Sequence, residues 1–167
     1  MRVSAKADYA VRATIELAAA EADGPLNAEK ISERQGIPRK FLETILLELK
    51  HAGIVTSRRG PDGGYALARP AAEISIADVI RAVDGPLANV RGDRPERIAY
   101  EGAAIHLTQV WIAVRAALRD LLEATSLAEV RDGTLPERIA ALTADPDAWV
   151  SLGRIRGAGS GSGPAAG

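Results

Sequence analysis

Residues 27–69 read NAEKISERQGIPRKFLETILLELKHAGIVTSRRGPDGGYALAR, and this stretch indicates the fold most directly. Its first part predicts a short helix over residues 28–34, with Gly36 placed as a left-handed stop after it. Pro38 then takes the favoured first position of a second helix, which is predicted to run to about residue 51. Two helices joined by a three-residue turn that contains glycine indicate a helix-turn-helix.

The second part of the same stretch predicts a β-hairpin. Residues 54–58 and 65–69 have strand character, and the segment between them is Arg-Gly-Pro-Asp-Gly-Gly, which is rich in turn formers. A hairpin directly after the second helix is the wing of a winged helix-turn-helix. The glycines near its tip remove bulky side chains, which favours a close approach of the wing to DNA.

The chain on either side of this stretch is predicted to be helical. Residues 3–21 carry apolar side chains at helical spacing, and Ser75 with Asp78 makes a capping-box-like start for a helix over residues 76–83. We therefore predict an α+β fold that is mostly α, with a winged helix-turn-helix DNA-binding domain over residues 1–84.

A long loop and a long helix are predicted after that domain. Residues 85–104 lose periodicity, and a loop of this length in a compact domain is a candidate functional segment. In the region 105–130, a helix to about residue 124 has apolar side chains spaced by 4, 3, 4 and 3, a heptad-like stripe. These side chains are Leu107, Trp111, Val114, Leu118 and Leu121. A chain this small has little else to cover the stripe, so a homodimer is predicted.

The C-terminal part is less informative. Residues 131–156 are predicted to form an extension with short helices, and residues 157–167 contain only Gly, Ser, Ala and Pro. We expect this last segment to be a flexible tail.

Composition limits the function classes. The chain has no cysteine, which excludes disulfides, thiolate zinc sites and cysteine-ligated iron–sulfur clusters. The charged N-terminal segment does not resemble a signal peptide, and no apolar run is long enough to span a bilayer, so a cytoplasmic, non-membrane protein is expected. No catalytic triad, Walker loop or metal-spaced cluster is apparent, so no enzyme activity is predicted.

The distribution of charge favours DNA only weakly. The net charge is −1, but residues 1–70 hold 11 basic and 9 acidic residues, and residues 71–167 hold 10 and 13. The two parts therefore carry +2 and −3. This asymmetry indicates a polyanion partner for the N-terminal part, although random scatter explains it equally well.

The second helix of the pair supplies candidate base contacts. On a helical projection, Phe41, Leu42, Ile45 and Leu49 are predicted to face the core. The opposite face carries Lys40, which can contact phosphate or guanine, Glu43, which can accept from a cytosine amino group, and Thr44, which can reach a base edge or methyl. The alternative is an ordinary solvated helix face.

Further candidates flank this helix. Arg58 and Arg59 lead into the wing, and strand alternation points one of them towards a minor groove or its phosphates. Lys6 lies at the start of the first helix, where backbone amides can hold a phosphate, unless it belongs simply to a polar chain end. The predicted DNA-binding set is Lys6, Arg39, Lys40, Glu43, Thr44, Arg58, Arg59 and Tyr65.

Several motifs in the same order carry a resemblance to a known family. They are KADYA at residues 6–10, FLE at 41–43, AGIV at 52–55, RGPDGGY at 59–65, IADVIRAV at 76–83 and VW at 110–111. Over about residues 1–130 the chain resembles the winged-helix regulators that include IscR, NsrR and CymR. The resemblance implies a dimer with crossed long helices, each recognition helix in a major groove and each wing in a minor groove of double-stranded DNA. Carried over by position, the base-contacting candidates are Lys40, Glu43, Thr44 and Arg59.

The departure from the family concerns its iron–sulfur cluster. Many members carry three cysteines in the segment that corresponds to residues 85–106, and here that segment has none. Asp8 matches a position that supplies a carboxylate ligand in one branch, and His106 lies near another ligand position. Neither can hold a cluster without thiolates, so no cofactor and no metal site are predicted.

Two alternatives remain open at this level. A winged helix can dock proteins instead of DNA. A DNA-binding regulator can also sense an unknown small-molecule effector at the loop over residues 85–106.

Overall fold

A computed structural model describes residues 3–150 and has seven α-helices and one two-stranded antiparallel sheet in that range. The elements are α1 (Ala5–Ala19), α2 (Ala28–Gln35), α3 (Arg39–His51), β1 (Val55–Arg58), β2 (Gly64–Leu67), α4 (Ile76–Asp84), α5 (Leu107–Leu122), α6 (Leu127–Asp132) and α7 (Glu137–Thr143). The predicted fold class, mostly helical with a winged helix-turn-helix, is confirmed.

Local signals set the ends of the two helices in the helix-turn-helix. Gly36 is in the left-handed region, with φ 60° and ψ 34°, and it ends α2 as predicted. Pro38 precedes α3 as its N-cap and does not occupy its first position, because its ψ of 124° is extended. The prediction for Pro38 was therefore wrong by one residue, and α3 begins at Arg39.

The buried face of α3 differs from the prediction at one side chain. Leu42, Ile45 and Leu49 are fully buried as expected, and Leu46 joins them. Phe41 was predicted to face the core and is instead 45% exposed. The reason is that Leu46 shifts the centre of the buried face away from Phe41, whose ring packs edge-on against Tyr9 at the border of the core.

A segment that follows α5 in the sequence also packs into the core of the N-terminal domain. Leu127 of α6 is fully buried in the same core as α1 and α3. Backbone hydrogen bonds from Ile76 to Thr125 and from Leu127 to Ile74, both 2.9 Å, join this segment to the start of α4. The core of the winged helix therefore extends beyond residues 1–84, and residues up to 136 form one compact unit.

The predicted loop over residues 85–104 is irregular apart from two single-turn 3-10 helices, Pro95–Arg97 and Gly102–Ala104. In the C-terminal extension, α7 packs against the 3-10 turn Pro146–Trp149. The tail predicted at residues 157–167 lies outside the described residues. Among residues 3–150, no helix combines the length and apolar character that crossing a bilayer requires.

Candidate nucleic-acid interface

The outward face of α3 is exposed as the sequence predicted. Lys40, Glu43 and Thr44 are all exposed, and Leu47 between them is 51% exposed. The hydroxyl of Thr44 donates to the carbonyl oxygen of Lys40 at 3.2 Å. This leaves the methyl group and the oxygen lone pairs of Thr44 for a neighbour outside the helix.

Ion pairs divide the predicted cations into two groups. Arg39 donates from Nε to Glu43 at 3.0 Å and lies 3.7 Å from Glu29. The hydrogen bond to Glu43, and then the charge of Glu29, raise the pKa of Arg39 above its ordinary value. Its charge is therefore already opposed by two carboxylates of the same chain.

Three other predicted cations differ from Arg39 in their ion pairing. Within the described part of the chain, no carboxylate lies within ion-pair distance of the side chains of Lys40, Arg58 or Arg59. All three are exposed, one on α3 and two where β1 leads into the wing. A cation with no partner in its own chain can bind a phosphate without breaking an existing pair.

Lys6 is placed differently from the sequence interpretation. Its Nζ lies 3.1 Å from Glu48 Oε2 and 3.9 Å from Asp84 Oδ1, and the side chain is half-buried. Ser4 caps α1 and donates its hydroxyl hydrogen to Asp84. Lys6 therefore pairs with carboxylates of α3 and α4 within the protein, and its assignment to DNA binding stays a prediction.

Tyr65 belongs to the support of the wing. Its backbone N–H donates to the carbonyl of Leu26 at 2.7 Å, and its carbonyl accepts from the N–H of Leu26 at 2.9 Å. The half-buried ring packs against the core. The structure therefore does not place Tyr65 with the exposed DNA-binding candidates. A single bridging residue such as Leu26 has no alternation from which this pairing could be predicted.

Contacts inside the protein explain why glycine stands at two positions of the wing, Gly63 and Gly64. Gly64 has φ +154°, and a Cβ on it would overlap the backbone carbonyl of Leu26. A Cβ on Gly63 would overlap the carbonyl of Arg58, while the N–H of Gly63 closes the turn onto Gly60 at 3.0 Å. These two glycines thus allow close backbone approaches inside the protein, and the approach of the wing tip to DNA stays a prediction.

One cation of this surface was missed from the sequence. Lys50, in the last turn of α3, donates from Nζ to the hydroxyl of Ser57 on β1 at 2.7 Å. It is exposed, and its side chain connects α3 to β1. Helical projection places it at the edge of the face that carries Lys40, so only the position of β1 makes it part of the surface.

Comparisons with known proteins identify the family of this chain. The profile of the family Rrf2, described as iron-dependent transcriptional regulator, matches residues 3–133. A protein of Mycobacterium tuberculosis named as an HTH-type transcriptional regulator is 50% identical over 145 residues, which cover 87% of this chain and 90% of that relative. The HTH-type transcriptional regulator CymR of Bacillus subtilis is 31% identical over 140 residues, covering 84% of this chain and 96% of CymR.

Solved structures show the same fold. The structure of CymR, the global cysteine regulator of B. subtilis, matches with a TM-score of 0.68 and 30% identity and covers 79% of this chain and 97% of that chain. The IscR of T. potens matches with a TM-score of 0.66 and 30% identity, covering 83% and 90%. The resemblance inferred from the motifs is confirmed.

The iron named in the family description requires a set of ligands that residues 3–150 do not bring together. The sequence has no cysteine. Among residues 3–150, no group of three or more His, Asp or Glu side chains is placed to hold a metal ion. The segment that corresponds to the cluster loop contributes Arg94 to a surface shared with Arg81, Arg115 and Arg119. Guanidinium groups repel a cation, so the residues present do not fit an iron site.

Proposed function

This chain belongs to the Rrf2 family of transcriptional regulators, and on that premise we propose that it is a homodimeric repressor which binds a pseudo-palindromic operator without an iron–sulfur cluster. As in its relatives, the activity is DNA-binding regulation of transcription and not catalysis. We expect it to act in the bacterial cytoplasm, where the DNA is.

The observation that carries the proposal is a group of three cations at the exposed face of α3 and the wing that form no ion pair within residues 3–150. Lys40, Arg58 and Arg59 lie on the two elements that a winged helix presents to DNA. Phosphate contacts supply much of the affinity for DNA and fix the register of the protein. Glu43 and Thr44 stand beside Lys40 on the same helix face, where base edges are read in a major groove.

The proposed dimer is supported by the state of α5. None of the sixteen residues in this helix is buried, although its stripe of Leu107, Trp111, Val114, Leu118 and Leu121 is apolar. Val110 beside the stripe is 51% exposed. A second copy that packs α5 against α5 removes this apolar surface from water.

Two-fold symmetry has a consequence for the operator. A dimer with two recognition helices binds two half-sites whose centres lie about one helical turn, roughly 10 base pairs, apart or a multiple of that. A dimer seated on such a site excludes RNA polymerase from an overlapping promoter, and this is why we propose a repressor.

The test starts with selection of bound sequences from random DNA. We expect a pseudo-palindrome, and we expect its affinity to fall steeply as salt rises, because bound phosphates release counterions. Transcription in vitro from a promoter that contains the selected site then distinguishes a repressor from an activator. No enrichment of any sequence, together with a flat salt dependence, would contradict the proposal and favour a winged helix that docks proteins.

A further inference from the structure

A cavity of about 460 Å³ lies between the C-terminal part of α4, the loop after it and α5. Four guanidinium groups line it, and Pro86 and Leu87 form an apolar wall. The arginines are Arg81, Arg94, Arg115 and Arg119. We call this the arginine cavity. It is separate from the exposed face of α3 and from the wing.

The arginine cavity has more positive than negative charge. Arg115 pairs with Glu96, and both Arg81 and Arg119 pair with Glu123. Among residues 3–150, no carboxylate lies within ion-pair distance of Arg94. Four guanidinium groups against two carboxylates leave an excess of two positive charges.

The two carboxylates stay ionised, so this excess does not grow or shrink near neutral pH. The pKa of Glu96 is lowered by a hydrogen bond from its own backbone N–H, then by Arg115 and, through its charge, by Arg94. The pKa of Glu123 is lowered chiefly by the hydrogen bond from Arg81. The positive field of the cavity is therefore a constant property of the folded chain.

We propose that the arginine cavity binds a small organic anion with at least two negative charges, either a phosphate ester or a polycarboxylate. Guanidinium groups bind phosphate and carboxylate through paired hydrogen bonds. The volume lies in the range of small-molecule sites, and the wall of Pro86 and Leu87 suits a short carbon skeleton.

The cavity is connected to the DNA-facing elements by α4. Arg81 lies one turn before Asp84, and Asp84 accepts a hydrogen bond from the hydroxyl of Ser4 and faces Lys6. Lys6 in turn pairs with Glu48 of α3. An anion that binds Arg81 competes with Glu123 for this side chain. It therefore acts on α4, whose C-terminal end contacts α1 and, through Lys6, α3. Resting on the proposed function, we infer that this anion is the effector that changes the affinity for DNA.

The first experiment measures binding without DNA. Calorimetric titration of the whole protein with pyrophosphate, and separately with citrate, is compared with sodium chloride at equal ionic strength. We expect saturable binding of at least one probe, and the stronger probe tells a phosphate ligand from a carboxylate ligand. Absence of saturable binding by both probes would overturn the proposal.

Matched variants locate the site. Arg94→Gln removes one cavity cation that makes no ion pair within 4 Å among residues 3–150 and acts on Glu96 only through its charge, so the fold should be unaffected. Arg97→Gln removes an exposed cation three residues further on the same loop that does not line the cavity. We expect Arg94→Gln to weaken binding about tenfold, the loss of one charge-assisted hydrogen bond, and Arg97→Gln to leave it nearly unchanged. Equal effects of the two variants would indicate general charge attraction and overturn the site.

The second experiment measures affinity for the selected operator with and without the bound probe. We expect a change in the unaltered protein and in Arg97→Gln, and none in Arg94→Gln, which separates an effect at the cavity from competition at the DNA surface. DNA binding that responds equally in both variants, or in neither, would overturn the effector role. A protein that binds the probe but no DNA would instead contradict the proposed function and leave the anion site standing.

Discussion

Glu43 Oε1 accepts a hydrogen bond of 3.0 Å from Nε of Arg39, one helical turn earlier on the recognition helix. The same guanidinium lies 3.7 Å from Glu29 on α2. Glu43 therefore has a partner within its own chain in addition to any base that it meets. Removing it changes both the exposed face of α3 and the charge that Arg39 presents.

Glu43→Ala is expected to relax sequence preference without a general loss of affinity. A carboxylate near the groove floor repels phosphates and base acceptors and is tolerated where a cytosine amino group meets it. The variant should keep or raise affinity for mismatched sites while losing preference at one base pair of each half-site. Binding measured across a set of single-mismatch operators tests this.

Glu29→Ala is the matched control, because it also removes a carboxylate from Arg39 but lies on α2. It should leave the preference unchanged. If Glu43→Ala loses affinity uniformly with its preference intact, Glu43 is a structural residue and its assignment to recognition is wrong.

Arg59→Ala is expected to weaken binding to all sequences alike. Arg59 has no ion pair to lose within the described residues, so its removal should affect DNA binding and leave the fold intact. The slope of log affinity against log salt should fall by about one for each phosphate that the variant no longer binds. Arg34→Ala, which removes an arginine that pairs with Glu16 on another surface, should leave the slope unchanged. Binding by Arg59→Ala that equals the unaltered protein would mean that the wing does not contact DNA.

Gly64→Ala is expected to destabilise the wing. The added Cβ meets the backbone of Leu26 and the residue has a positive φ, so we expect a loss of about 1–3 kcal/mol in the free energy of unfolding, measured with denaturant. Gly60→Ala is the control, since Gly60 also has a positive φ but open space around it. Equal losses for the two would show that the overlap with Leu26 costs nothing.

Leu118→Glu is expected to disrupt the dimer. The change places an unpaired charge in the apolar stripe of α5, which costs several kcal/mol when it is buried. Sedimentation should show a monomer or an aggregate. Val110→Glu, at a more exposed position beside the stripe, provides a second test of the interface if Leu118→Glu does not fold. Ile112→Glu, on another side of α5, should leave the dimer intact. Normal dimers from both Leu118→Glu and Val110→Glu would place the interface elsewhere.

The purified protein is expected to be colourless and free of iron. The reason is the donor set, which has no thiolate and no cluster of oxygen or nitrogen ligands within residues 3–150. Elemental analysis and a visible absorption spectrum test it. Stoichiometric iron with an absorption band would require ligands from oxygen and nitrogen groups that the chain does not bring together in this structure.

Features whose causes lie within a few residues could be predicted from the amino-acid sequence alone. The capping box of Ser75 and Asp78 and the left-handed stop at Gly36 were predicted and are present. The exposure of Lys40, Glu43 and Thr44 also followed from helical spacing. The error at Phe41 has the same origin, because spacing defines a helix face but does not say how far the neighbouring helices cover it.

Tertiary packing, in contrast, determines which cations remain unpaired and where the cavity lies. Lys6 and Glu48 are separated by 42 residues along the chain, and so are Arg81 and Glu123. Leu26 and Tyr65 form their bridge across the helix-turn-helix. Such pairs depend on how whole helices pack, and packing is determined by the sum of many apolar contacts and not by any short motif. For that reason the candidate DNA contacts could be named from the sequence, whereas the partners of Lys6 and Tyr65 within the protein followed only from the fold.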